Sequence, residues 1–195
     1  FERERGIRGF IRFWWVGDVY KGKFPMGTIW IISGQYLKFY LKKNRLITTA
    51  SADVPLKGLD FSLEAIARLK PEYPDIHLIV IGSPRKEGHT ERLLKKLELE
   101  NNVSFRTNLT KEEITQEYAQ SEAAIVSSLY EGFGFPVGEA MACATPLVAT
   151  NVASIPEITG SFAQLIKAEN ADEIYQGIKN IFQNPQKYKI QAELG

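Results

Sequence analysis

From Arg45 onward, short apolar runs alternate with longer amphipathic stretches. RLITTAS from Arg45, IHLIVIG from Ile76 to Gly82, VSFR from Val103, AAIVSS from Ala123 to Ser128, PLVAT, and SFAQLIK are brief and mostly apolar. Runs of this kind predict strands buried on both faces, as in a parallel sheet. Between them, residues 59–69 place Phe61, Ala65, Ile66 and Leu69 on one helical face, and TERLLKKLELE reads as a second helix. Thr110 with Glu113 forms a capping box that opens a helix to about Gln120. Asn170 with Glu173 caps another along Ile174, Ile178, Ile181 and Phe182; Pro185 ends it, and QKYKIQAELG begins one more. Strands alternating with helices at this interval mean βαβ units and a parallel sheet of about six strands.

Residues 1–44 break the pattern. FERERGIRGFIRFWWVGDVYKGKF interleaves Arg and Lys with Phe10, Phe13, Trp14, Trp15 and Phe24, without a clean helical stripe. This stretch carries nine Lys and Arg against three Asp and Glu, a charge of +6, while the remainder carries −5 of the overall +1. The sequence therefore divides into a basic, aromatic-rich N-terminal segment, 1–44, and an α/β domain, 45–195. Within residues 1–44 the longest uncharged run, Phe24 to Leu37, is shorter than the roughly 20 residues that span a bilayer. No secretory-leader layout opens the sequence. Two readings of the segment stay open: an interfacial arm with aromatics at headgroup depth, or a remnant of an upstream domain or linker. Nucleic-acid binding is not expected, since basic residues mixed with aromatics signal little without a recognisable module.

Composition adds limits. At 195 residues there is room for one full domain. The single cysteine, Cys143, excludes an internal disulfide and reads as a small buried hydrophobe. This fits a cytoplasmic protein, with peripheral contact at the inner face of a membrane left open by the arm. His77 in a strand and His89 in a loop are isolated, and no Cys/His/Asp cluster has metal-ligand spacing, so no bound metal is expected.

Candidate chemistry concentrates in SSLYEGFGFPVGEAMACATPLVATNVASIPEI, residues 127–158. Glu131 falls on the loop leaving a strand, and Glu139 within the first turn or so of the helix that Pro136 introduces. Both acids point at the crevice outside the carboxyl ends of a parallel sheet, where such sheets bind ligands and where helix N-termini offer N–H groups to phosphate. Gly132, Gly134 and Gly138 allow a ligand close to the backbone.

The string resembles the E-x7-E element of the retaining GT-B enzymes called glycosyltransferase family 4, written roughly EGFGLPxxEAMAxGxPVVATxxGGxPE. Here it runs from Glu131 through Gly-Phe-Gly-Phe-Pro-Val-Gly to Glu139, then AMACATPLVAT and Ser154-Ile-Pro156-Glu157. Ala144 and Ala153 depart from the pattern, which usually has Gly there, and each adds a methyl group to a tight turn. The resemblance implies that residues 45–195 are a Rossmann-like donor domain, one half of a GT-B fold. It would transfer sugar from a nucleotide-sugar donor to an acceptor with retention of configuration, as a hexosyltransferase, with no cofactor or metal. It also implies an acceptor-binding N-terminal domain that is missing here. The alternative is a non-catalytic nucleotide-sugar-binding module that needs that separate domain.

Residue roles follow from the same resemblance. Glu139 is expected on the ribose hydroxyls and Glu131 against the donor sugar. Lys57, in Lys57-Gly58, is expected on the diphosphate. The partner cation of the family's basic pair falls on Ser51, so that charge is absent, and Arg85 or an Arg from a partner could substitute. Gly82 and Ser83 would pass close to the nucleotide, and Phe133, Gly134 and Phe135 would supply main-chain N–H groups, with both phenylalanine side chains used for packing. Glu157 reads as a structural loop residue. The two acids do not read as a hydrolase pair, whose carboxyl groups must flank a scissile bond.

Overall fold

The computed structural model describes residues 20–24, 27–32, 35–39, 41–50 and 53–194. The arm over residues 1–19 and the position of Ser51 lie outside the described residues. Three short strands, β1 (Tyr20–Phe24), β2 (Gly27–Ile32) and β3 (Gln35–Phe39), form an antiparallel meander in the order β1-β2-β3. The reading of residues 1–44 assigned no elements, so this meander is new. Its strands are short and partly charged, and they give neither a helical period nor a long apolar run.

The second sheet is the parallel one expected. Its strands are β4 (Arg45–Thr49), β5 (His77–Ile81), β6 (Val103–Arg106), β7 (Ala123–Val126), β8 (Leu147–Thr150) and β9 (Ala163–Ile166). They lie in the order β6-β5-β4-β7-β8-β9, and all five pairings are parallel. Both faces are covered, and successive residues of a strand divide between them. Leu46, Leu78, Val80, Ile125 and Val148 face a core shared with helices α1 (Leu59–Leu69) and α6 (Ala171–Gln183). Ile47, Ile79, Ala124, Val126 and Ala149 face a second core shared with α3 (Lys111–Ala119), α4 (Phe135–Ala142) and α5 (Ile155–Thr159). Helices α2 (His89–Lys96) and α7 (Pro185–Leu194) complete the covering layers. A fully buried Ile or Leu in such a layer contributes about 1.5–3 kcal/mol. The domain is thus a Rossmann-like α/β sandwich. Among the described residues, no helix is long and apolar enough to cross a membrane.

Chain order reverses direction once, between β4 and β7. After β4 the chain steps outward to β5 and β6, then returns to place β7 on the other side of β4. A crevice opens at such a switch point, outside the carboxyl ends of the two strands.

Several local expectations are corrected. The inner face of α1 is carried by Leu59, Ser62 and Leu63 as well as Ala65, Ile66 and Leu69, whereas Phe61 is only partly buried. Helix α2 stops at Lys96, short of the predicted Glu100, because Glu98 turns left-handed at φ 55° and the Leu99 N–H reaches the Leu94 carbonyl at 2.9 Å. That Schellman turn buries Leu99 completely beside Leu94. His89 opens α2 instead of lying in a loop, and its Nε2 stands 2.8 Å from Asp60 Oδ2. Glu157 lies in the short helix α5 rather than in a loop. The capping box on Thr110 and the Asn170 cap both form as expected.

The two departures from the family pattern sit where glycine is favoured. Ala144 and Ala153 both have φ 47°, in the left-handed region. Ala144 is the left-handed residue of a second Schellman turn, in which the Thr145 N–H bonds the Ala140 carbonyl at 2.9 Å. A left-handed alanine costs about 1–2 kcal/mol, partly offset by the extra unfolded-state freedom that glycine brings. Ala144→Gly and Ala153→Gly are therefore expected to raise the melting temperature by about 1–4 °C each, additively. Calorimetric melting of the single and double variants checks this, and a lowered transition would refute it.

Candidate functional site

The turn after β4 is built to meet the loop after β7. Pro55–Lys57 make one turn of 3-10 helix, and Gly58 follows at φ 60° to start α1. A β-carbon on Gly58 would lie 2.1 Å from the Ser127 carbonyl oxygen, so the Lys57-Gly58 pair requires glycine for both its conformation and its space. Ser127 Oγ donates to the Lys57 carbonyl at 3.1 Å, Ser62 Oγ donates to Ser127 Oγ at 2.9 Å, and the Leu129 N–H donates to the Leu56 carbonyl at 2.8 Å. These contacts set Lys57 against Glu131.

Lys57 Nζ lies 2.9 Å from Glu131 Oε2, and Ser128 Oγ donates to the same oxygen at 3.1 Å. Glu131 is only 8% exposed, so its charge needs such partners. Ser154 Oγ donates to the Glu131 carbonyl at 2.9 Å and ties the loop to the start of α5. Gly134, at φ 74°, forms the N-cap of α4, and no side chain caps its first turn. The start of a helix is the positive end of its dipole and suits an anion, with Pro136 contributing no N–H there.

Glu139 lies at the start of the second turn of α4, close to the expected place, and is 7% exposed. It faces the carboxyl end of β4, where Thr49 Oγ1 donates to Glu139 Oε2 at 3.4 Å and also meets the Tyr118 hydroxyl at 2.9 Å. Among the described residues, no cation partners it. Burial pushes its carboxyl up to about 7, while hydrogen bonds from Tyr118 and Thr49 act in the opposite direction. Burial likewise pushes the Tyr118 hydroxyl well above its usual value, with the nearby Glu139 charge adding to the effect.

The structure thus joins Lys57 to Glu131 across the switch point and sets Glu139 against the end of β4. Gly82 and Ser83 leave β5 on the other side of β4, where the Ala50 N–H bonds the Ile81 carbonyl at 3.2 Å and Gly82 has φ 149°. Phe133 and Phe135 do not pack into the core. They are 48% and 40% exposed, with ring centroids 4.7 Å apart, because the Gly134 cap turns both side chains outward at the rim. Thr49, Tyr118, Ser128 and Ser154 were not singled out for the site. A hydroxyl just past a buried strand was a usable signal for Ser128, whereas Tyr118 gave none, since only the packing of α3 brings it to Glu139. Cys143 is buried, as expected. Among the described residues, no group of three His, Cys, Asp or Glu is arranged to hold a metal ion.

Residues 38–195 match the family described as glycosyl transferases group 1. The MMP alpha-(1->4)-mannosyltransferase of Mycolicibacterium hassiacum is 37% identical over 78% of this chain, which spans 38% of that relative's length. Among solved structures, the C-terminal domain of a group 1 glycosyl transferase from Francisella tularensis superposes with a TM-score of 0.65 at 24% identity, covering 77% of this chain and 82% of that one. HepE of Anabaena, solved with UDP and glucose, gives 0.65 at 24% identity over 75% of this chain and 41% of its own. The fold is that of the C-terminal half of a GT-B enzyme.

The raised carboxyl of Glu139 has a consequence for stability. Its folded value of about 7 exceeds the unfolded 4.5, so the native state holds the proton more tightly. The stabilising contribution is complete below pH 4.5 and is lost as pH rises through 7, on the order of 3 kcal/mol in all. Glu139→Gln is expected to remove this part of the stability profile between pH 4.5 and about 7, measured by urea unfolding. An unchanged slope would refute the assignment.

Proposed function

Because the chain belongs to the group 1 glycosyl transferase family, we propose that it is the donor half of a retaining glycosyltransferase of family 4, acting on a nucleoside-diphosphate hexose. The observation that carries this reading is the ion pair between Lys57 and Glu131, which joins residues 74 positions apart at the switch point of the sheet. A diphosphate entering there competes for Lys57 and is met by the N–H groups at the start of α4. Phe133, Gly134 and Phe135 belong to that turn and its entrance through their main chain. Glu131, freed from Lys57, accepts hydrogen bonds from donor sugar hydroxyls. Glu139 accepts from both ribose hydroxyls, which suits the two oxygens of an ionised carboxylate. Gly82 and Ser83 bound the nucleotide from the β5 side. The UDP seen in HepE, a protein of the same fold, supports a nucleoside diphosphate as the occupant.

In the reaction, the bond between the anomeric carbon and the outer phosphate oxygen breaks, and its electron pair leaves with the nucleoside diphosphate. The acceptor hydroxyl forms the new glycosidic bond from the same face, and its proton passes to the departing phosphate. Charge accumulates on that phosphate, where fixed cations and N–H dipoles are most effective. Lys57 and the α4 N-terminus fill this role without a metal or cofactor. The acceptor would bind a second domain, in keeping with the fraction of the relatives' length that the chain spans.

Calorimetric titration with UDP, GDP and ADP tests the donor site. One of the three is expected to bind, and Lys57→Ala or Glu139→Ala should weaken that binding by about 10–100-fold without unfolding the domain. Affinities unchanged in both variants would overturn the assignment. In the full-length protein, Lys57→Ala is expected to lower turnover by about two to three orders of magnitude.

A further inference from the structure

Asp53 occupies the turn between β4 and Lys57 at φ 61°, an uncommon conformation for a residue other than glycine. Its carboxylate spans to the loop after β5. Oδ2 accepts from the Arg85 N–H at 2.7 Å and Oδ1 from the Thr90 N–H at 2.8 Å, while the Asp53 N–H donates to Thr90 Oγ1 at 3.2 Å. Thr90 is fully buried, so one end of this bridge is fixed in the body of the domain. Gly88 packs directly on the carboxylate, because a β-carbon there would fall 2.7 and 2.9 Å from its two oxygens. The Gly88 N–H in turn donates to the Arg85 carbonyl at 2.8 Å. The carboxyl titrates below its ordinary value: slight burial pushes it up, and the Thr90 and Arg85 contacts outweigh that. Farther along the same gap, the Asp60–His89 contact is solvent-exposed, 44% and 59% at its side chains, and holds little in water.

We propose that the Asp53 carboxylate is a latch that holds the turn carrying Lys57 and the loop carrying Ser83 and Arg85 as one unit, so that the diphosphate cradle exists before the ligand arrives. Asp53 is a positioning residue and touches no substrate. Its effect is to avoid the ordering that two independent loops would undergo on binding, and such preorganisation strengthens affinity without adding a contact to the ligand. The latch also fixes the backbone of Arg85, the cation nearest in sequence to the loop that Ser83 begins. This inference rests on the donor reading above.

Asp53→Asn separates the two ideas. The amide keeps the volume and can still accept from the Thr90 N–H, but it sets an NH2 group against the Arg85 N–H. Binding of UDP, GDP and ADP is compared with that of the matching nucleosides, measured by displacement, and amide hydrogen exchange is followed at Arg85 and Thr90. In Asp53→Asn, affinity for the bound diphosphate should fall about 10-fold while nucleoside affinity stays within twofold, and Arg85 should exchange faster. Asp53→Ala should speed exchange at Thr90 as well. Loss of both affinities in parallel with a lowered melting temperature would show a merely structural role and overturn the latch. Unchanged exchange at Arg85 would overturn it too, whatever the nucleotide data. If the unaltered protein binds no nucleoside diphosphate, the donor reading fails instead, and the exchange rates alone decide whether the two loops are coupled.

Discussion

The candidate site depends on a main-chain seam between two loops that are distant in sequence. Ser127, at the end of the central strand β7, presses its carbonyl against Gly58 and sends its hydroxyl to the Lys57 carbonyl. Only a residue without a β-carbon fits opposite that carbonyl, so the turn after β4 cannot be displaced from the loop after β7. Lys57 and Glu131 meet because their backbones are already joined on either side of them. The charge pair therefore sits on a scaffold of neutral hydrogen bonds that salt does not screen.

The two buried acids are accommodated by different means. Glu131 is met by an ammonium group and a hydroxyl, which suits the exchange of charged partners that the proposed function calls for. Glu139 is met by hydroxyls, and desolvation with no counter-charge among the described residues favours its protonated form. A ligand that brings two donor hydroxyls to Glu139 would draw the proton off as it binds. Near neutral pH the same residue can be a neutral element of the empty core and a charged element of a filled site.

Much of this was legible in the sequence. The strands announced themselves as short, mostly apolar runs, and RLITT, HLIVI, VSFR, AAIV, LVAT and AQLI fall inside the runs read as strands, although the edge strands β6 and β9 are only partly buried. The roles given to Glu131, Lys57 and Glu139 came from a spaced motif, and what the fold adds is the contact between the first two. Ala144 and Ala153 could be read as departures, but their left-handed backbone could not. Less legible were contacts made only through tertiary packing. Tyr118 is an ordinary helix residue until α3 lies across the sheet, and the outward turn of Phe133 and Phe135 depends on a glycine cap whose direction no period encodes. The three-stranded meander escaped because short strands of five or six residues leave little periodic trace.

The reversal of strand order has a further meaning for how the molecule comes to exist. Strand β4 pairs with β5 after one helix, but with β7 only after two complete strand–helix units have been made and laid aside. Closing so long a stretch of chain costs entropy before any contact repays it, which makes that pairing slow relative to its neighbours. Lys57 and Glu131 sit on opposite banks of this pairing. During folding, and during synthesis from the N-terminus, the crevice is absent until the two halves of the sheet join, so the contact between Lys57 and Glu131 is among the last to form.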